Sequence, residues 1–289
     1  METNPDNLGD RIRVLVTPTR RLIGWFLALL LLLPPSLAAA DTLKISGTGS
    51  AIPAMEQIVA AFRQAHSDQP VRILTPPMGS SGSIRALLGE ALDLALSARS
   101  LKENERQAGL ISTPYARTPF VVAVHESLPV SHLSLGELTD IYAGKTLTWP
   151  DGKRLRLVMR PSNDSDITVL KSISPEMKKA VETALAKPGK GVAINDFDSV
   201  EMIEKVPGAV GTATLTLIVA HNLPLKALGI HHAFPTIKAL TAGNYPYFKT
   251  FNLVTRSDPS PGVKRFQEFL RSPPAREILI KAGNQALLP

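Results

Sequence analysis

The chain has 289 residues, of which 32 are Lys or Arg and 25 are Asp or Glu, giving a net charge of +7 with 44% apolar residues and no cysteine. Its 24 prolines and 19 glycines are spread along the length, which excludes collagen-like, coiled-coil and disordered chains. The lack of Cys excludes disulfide frameworks, thiolate metal sites, thiol catalysis and a lipid-modified N-terminal Cys. With no long Lys/Arg run and 5% aromatics, nothing argues for nucleic acid as a partner.

Residues 1–40 read as a secretory signal. Arg11, Arg13, Arg20 and Arg21 precede an apolar run from Leu22 to Leu33, followed by Pro34-Pro35 and the small-residue site Ala38-Ala39-Ala40. The run would extend roughly 18 Å as a helix, short of the roughly 30 Å hydrocarbon core of a bilayer. Cleavage is therefore expected before Asp41. An uncleaved anchor drawing on Gly24 to Leu37 is the alternative, and in both cases the body is exported. Thr19-Arg20-Arg21 loosely resembles a twin-arginine signal, while the Leu-rich stretch suits the general secretory route. Removing the segment takes away four basic and three acidic side chains and leaves a charge of +6.

Beyond residue 40, short apolar or alternating runs at Leu43–Ser46, Val71–Leu74, Leu92–Leu96, Phe120–Val124 and Leu155–Met159 predict strands, with amphipathic stretches between most of them. Met55, Ile58, Val59 and Phe62 share one helix face, and Pro53 sits in the first turn, where a missing N–H costs nothing. Further helices are predicted after Gly79-Ser80-Ser81-Gly82 and after Asp164-Ser165-Asp166. Val263, Phe266, Phe269 and Leu270 mark another, and Ile278 with Leu279 a last one. No repeat, low-complexity segment or linker separates domains along the sequence.

Three segments repeat one design, a strand running through a tight turn into a helix: Gly47-Thr48-Gly49-Ser50, Gly79-Ser80-Ser81-Gly82, and Arg160 to Asp166. A helix start offers unpaired N–H groups and a partial positive charge. Gly admits a ligand close to the backbone, and Ser or Thr adds a hydroxyl. Each alone reads as plain capping. Together they form an oxyanion cradle if the strand ends face a common cleft.

The ordered set of motifs resembles the periplasmic phosphate-binding proteins that serve ABC importers. Gly47 to Pro53 is similar to their first loop, Met78 to Ser83 to their Gly-Ser-Ser-Gly-Gly helix start, and Asp93 to Lys102 (DLALSARSLK) to their strand-and-Arg segment. The stretch from His132 to Trp149, Pro207 to Gly211, and Ser272-Pro273 to Gly283 match later signatures. The resemblance implies an α/β, two-lobed periplasmic binding protein fold (type II), with mixed sheets flanked by helices and the ligand cleft between the lobes. It implies lobe 1 from 41–123 and 223–289 and lobe 2 from 124–222. It also implies capture of a small oxyanion, phosphate by default, by lobe closure without catalysis or cofactor, and a monomer docking on a membrane ABC permease from the periplasm. A sensory or accessory protein signalling to a membrane receptor, with another ligand, is the rival role.

Carried over by position, the ligand residues are Gly49, Ser50 and Ala51 in the first loop, and Gly79, Ser80, Ser81 and Gly82 at the helix start. Ser97, Ala98 and Arg99 follow after the third strand, then Arg160 with Asp164, Ser165 and Asp166. Arg160 is the cation expected to make a charge-assisted contact. Two positions depart from the pattern. Ala98 stands where relatives carry Asp or Ser, and Asp164-Ser165-Asp166 replaces Ser-Gly-Thr. A unit charge pair 4 Å apart at an effective dielectric of about 20 is worth roughly 4 kcal/mol, enough to cancel several hydrogen bonds. One Asp capping the helix and pairing with Arg160 would fill the anion site with a carboxylate. Otherwise the Asp side chains point away, or the ligand carries a donor or positive group. Asp164 or Asp166 is thus a candidate determinant of ligand choice.

The six His show no zinc spacing, and Gly79 to Ser83 does not fit a hydrolase elbow. Trp149 and Tyr142 read as packing, and Lys187 to Gly191 as a surface loop.

Overall fold

The computed structural model describes Met1, residues 41–187 and residues 191–288. The expected leader, apart from Met1, and its cleavage site lie outside the described residues.

In the first part of the chain, β1 (Leu43–Gly47) leads through one tight turn into α1 (Ile52–Ala65). There follow β2 (Val71–Ile73), α2 (Gly79–Leu88), β3 (Leu94–Ser97), α3 (Glu103–Gln107) and β4 (Leu110–His125). The middle holds β5 (His132–Leu133), α4 (Leu135–Ala143), β6 (Arg156–Leu157), α5 (Ser165–Ile173), α6 (Pro175–Ala186), α7 (Asp196–Lys205), β7 (Ala209–Thr214) and α8 (Leu215–Ala220). The chain ends with β8 (Leu225–Ala227), β9 (Gly229–Ile230), α9 (Ile237–Thr241), β10 (Phe248–Arg256), α10 (Pro261–Leu270), α11 (Pro273–Lys281) and β11 (Gln285–Ala286).

The expected mixed α/β class is what the chain adopts. The main sheet runs β2-β1-β3-β10-β4-β7-β6, with β8 and β11 also paired to β4. β1 is parallel to β2 and β3, while β10 is antiparallel to both β3 and β4. β4 is the spine. Its Leu110–Pro119 part pairs with β10, and its Phe120–Val124 part with β7. The register shifts where Phe251 faces Ala116 but Asn252 faces Pro114, which leaves Tyr115 as the extra residue of a bulge. That ring is buried and stacks on Phe251 at 6.2 Å between centroids.

This strand contributes to four apolar clusters among the described residues, and two of them hold its buried aromatics, Tyr115 and Phe120. The first gathers Ile45, Met55, Ile58, Phe62, Tyr115, Phe251 and Phe266. Phe62 meets Phe266 edge-on at 5.1 Å, an arrangement worth about 0.5–1.5 kcal/mol beyond area burial. The amphipathic face read on α1 is the face that is buried. The second core gathers Phe120, Val122, Leu138, Tyr142, Trp149, Leu170 and Val210. Trp149 is buried there, and its indole N–H donates to the Gly208 carbonyl at 2.9 Å.

Between residues 223 and 247 the chain packs around the Phe120–Val124 part of β4. β8 pairs with Ala123 to His125, and Leu228 and Ile230 are buried among the second-core residues. Pairing with the first part of β4 resumes at Phe248. The strand read at Leu155–Met159 is shorter than expected: a two-residue β6, with Met159 making only an isolated bridge to Val192.

Candidate functional site

The three donor-rich turns do converge. They line one cleft of about 790 Å³, within the usual range for a small-molecule site. Thr48 and Gly49 enter from the turn after β1, Met78 to Gly82 from the start of α2, and Ala98 to Ser100 from the end of β3. Arg85 stands on α2 and Arg117 on β4, Phe248 to Thr250 and Asn252 on β10, Arg160, Pro161 and Asn163 to Ser165 at the approach to α5, and Ile194 to Asp196 at the start of α7.

The start of α2 keeps donors free. Gly79 takes φ +68°, a left-handed conformation that glycine adopts without strain. No side chain caps the helix, so its first-turn amides stay open toward an anion. The Ser80 hydroxyl accepts from the Ala98 amide at 2.9 Å and the Ser81 hydroxyl from Arg99 Nε at 3.1 Å. Both keep their own proton to donate.

Arg99 is committed elsewhere. Its guanidinium grips Glu105 in two bonds of 2.7 and 2.8 Å, a fork geometry that uses up most of its donors. Glu105 is held below the usual carboxylate range, first by that bond.

The deepest part of the site is a buried charge cluster. Arg160 Nη2 lies 2.6 Å from Asp164 Oδ2, 3.9 Å from Asp196 Oδ1, and its Nε 4.0 Å from Asp166 Oδ2. Lys249 Nζ touches Asp166 and stands 3.5 Å from Asp196 Oδ1. Asp164 Oδ1 also accepts the Asp166 amide at 2.8 Å as the N-cap of α5, so the capping reading of this Asp holds. Asp166 accepts from the Thr212 hydroxyl at 2.6 Å. Asp196 accepts from the Ser50 hydroxyl at 2.6 Å and from the Thr48 hydroxyl at 3.2 Å.

Charge and burial oppose one another here. Burial alone would push the Asp196 carboxyl up, yet Lys249 and Arg160 outweigh it and hold the group below its ordinary value. Burial raises Asp166, and the neighbouring Asp164 and Asp196 carboxylates add to that against the pull of Lys249 and Arg160. Lys249 and Arg160 are held above their usual values because the three carboxylates outweigh the cost of burial. Two cations therefore face three carboxylates, a net charge of −1 if all are ionised.

Of the residues singled out in the sequence, Gly49, Gly79, Ser80, Ser81, Gly82, Ala98, Arg99, Arg160, Asp164 and Ser165 line the cleft. Ser50, Ala51, Ser97 and Asp166 are buried behind its wall. Ser97 serves its own turn, donating to the Arg99 carbonyl at 2.8 Å, and Ala51 packs in the first core.

Three functional side chains escaped the sequence reading. Lys249 lies on β10, a strand not foreseen. Asp196 is legible as an acidic residue in the first turn of a helix, but its partner Ser50 is 146 residues away. Arg117 has a buried Nε without a hydrogen-bond partner and sits over the Phe248 ring at 4.9 Å. Among the described residues, no group of His, Cys, Asp or Glu is arranged to hold a metal ion.

Comparison with known proteins bears on this geometry. The PBP superfamily domain matches residues 34–274. The chain is 30% identical over 107 residues to the phosphate-binding protein PstS 2 of Streptococcus agalactiae serotype V, a match covering 37% of this chain and only about a third, 36%, of that protein. It is 23% identical over 250 residues to the phosphate-binding protein PstS of Bacillus subtilis, covering 84% of this chain and 79% of that one. A Clostridium perfringens substrate-binding protein solved with bound phosphate superposes with a TM-score of 0.73 at 20% identity, covering 86% of this chain and all of the other. An ABC-type phosphate transport receptor from Vibrio cholerae gives 0.61 at 22% identity, covering 86% of this chain and all of the other.

Proposed function

The chain belongs to the PBP superfamily, and from that premise we propose that it is an exported solute-binding receptor. It captures a small oxyanion, phosphate first among them, and presents the closed form to an ABC-type membrane permease. The observation that carries this is the gathering of three helix starts and the cations Arg117 and Arg160 around one cleft. A binding protein needs a preformed set of donors and a way to close, not a nucleophile and base, and no covalent step is part of the proposal.

The ligand groups proposed are the first-turn amides of α2 with the Ser80 and Ser81 hydroxyls, the Thr48 to Ser50 turn, Ala98 after β3, Arg160, and Asp164 with Ser165 at the start of α5. Arg117 joins them as a cleft-lining cation with no carboxylate partner among the described residues. In the proposed division, one lobe centres on the first core and the other on the second. The chain crosses along β4 and re-enters the first lobe at β10, later than the sequence suggests. Such lobes close by hinge bending at the crossings, and closure excludes water from the donors. The permease then reads the closed surface as a signal of occupancy.

Import is favoured over a sensory role, because the relatives are named for phosphate binding and one for phosphate transport. Periplasmic placement rests on the leader read in residues 1–40.

Isothermal titration with inorganic phosphate, sulfate and small organic acids tests the reading. Saturable phosphate binding at one site, lost on substituting Ser80 and Arg117 together, is expected. Failure of every oxyanion to bind would refute it.

A further inference from the structure

The cluster beneath the cleft carries one carboxylate more than its cations balance, and the three are not equivalent. Asp164 caps α5 and Asp166 is anchored by Thr212 and Lys249. Asp196, by contrast, reaches from the start of α7 to the turn after β1, near the beginning of the described residues. Its two oxygens take the Ser50 and Thr48 hydroxyls at 2.6 and 3.2 Å, with Lys249 at 3.5 Å and Arg160 at 3.9 Å.

Two hydroxyl donors and two cations around a pair of oxygens is the coordination that a small oxyanion seeks. Gly49 makes room for it. A Cβ built there would lie 3.0 Å from Asp196 Cβ and 3.1 Å from its Oδ2, so the close backbone approach that glycine permits is used here by the chain's own carboxylate.

We propose that Asp196 is a built-in competitor for the ligand anion: its carboxylate holds part of the oxyanion seat, and phosphate enters by displacing it. This rests on reading the cleft as an oxyanion site. Asp196 is then a specificity-determining residue. It sets how tightly phosphate is held, since each captured anion must replace hydrogen bonds that the protein already makes to itself. Asparagine at this position keeps the size and an acceptor for Ser50 but leaves two cations facing two carboxylates, which removes the repulsion against an entering anion.

The test is calorimetric titration of the purified protein with inorganic phosphate, for wild type and Asp196→Asn, with melting curves to confirm folding. Should that variant fail to fold, Asp196→Ser is measured in its place. The variant is expected to bind phosphate at least tenfold more tightly, about 1.4 kcal/mol. If both proteins bind phosphate and the variant is no tighter, the competitor is refuted while the oxyanion receptor stands. If neither binds phosphate, both readings fall.

Discussion

Lys249→Met removes the ammonium from the buried cluster and leaves Arg160 alone opposite Asp164, Asp166 and Asp196. Lys249 is 2% exposed, touches Asp166 and lies 3.5 Å from Asp196, so water cannot take over its role. Removing one partner of a buried ion pair costs about 3–5 kcal/mol, because the remaining charge is uncompensated. At about 2–4 °C per kcal/mol for a chain of this size, the melting temperature should fall by roughly 6–20 °C. Urea denaturation followed by Trp149 fluorescence measures the change. Adding Asp166→Asn restores the original balance of charge, with Arg160 facing Asp164 and Asp196, and its side-chain oxygen can still accept from Thr212. The double variant should therefore recover at least about 2 kcal/mol, a coupling within the range seen for side chains in contact. A single variant within about 1 kcal/mol of wild type, or a double variant showing no recovery, would refute the view that these charges act as one buried unit.

Asp196 is held below its ordinary value by Lys249 and Arg160 against the effect of burial, so its contribution to stability is full above the usual Asp value near ~3.9 and is lost as pH falls from there through its lowered value. Asp166 is raised and has the opposite sign, its share fading as pH rises through its raised value. Asp196→Asn should therefore flatten the loss of melting temperature below about pH 4, and superimposable acid limbs would contradict the assignment. Arg117→Gln should weaken phosphate binding by about 10–100-fold, the worth of a charge-assisted hydrogen bond, while changing stability by no more than about 1 kcal/mol, the scale of its contact with Phe248. Calorimetry and a urea curve check both halves. Gly49→Ala should cost about 1–3 kcal/mol, because its methyl group would crowd the Asp196 side chain; a neutral substitution, by urea denaturation, would mean that Asp196 does not rest on that turn.

Much of the fold was legible where local signals agree with burial. Met55, Ile58, Val59 and Phe62 mark α1 because all four lie on its buried face. The helices expected after Gly79-Ser80-Ser81-Gly82 and after Asp164-Ser165-Asp166 are present but begin within those segments, at Gly79 and Ser165. β4 was legible only from Phe120 to Val124, where apolar residues run without interruption. Its first part carries Pro114, Pro119 and a bulge at Tyr115, which break the alternation on which a strand reading relies. β10 was missed, and Lys249 with it, since a lysine in a strand normally points to solvent and only the surrounding carboxylates justify burying it. The donor-rich turns were readable because each is a local strand-to-helix motif. The bond from Ser50 to Asp196 was not, because a contact between residues 146 positions apart leaves no local pattern. Asp164 illustrates both cases: its capping role follows from its place before a helix, and its bond to Arg160 was one of several outcomes the sequence allowed.

The account stands or falls on where phosphate sits. A crystal structure of the phosphate-saturated protein is the most direct measurement. The account predicts one anion in the cleft, contacting the amides at the start of α2 and the Ser50 hydroxyl, with the Asp196 carboxylate moved off that hydroxyl. Phosphate bound only outside the cleft, or a saturated crystal with Ser50 still bonded to Asp196 and no anion beside it, would contradict it.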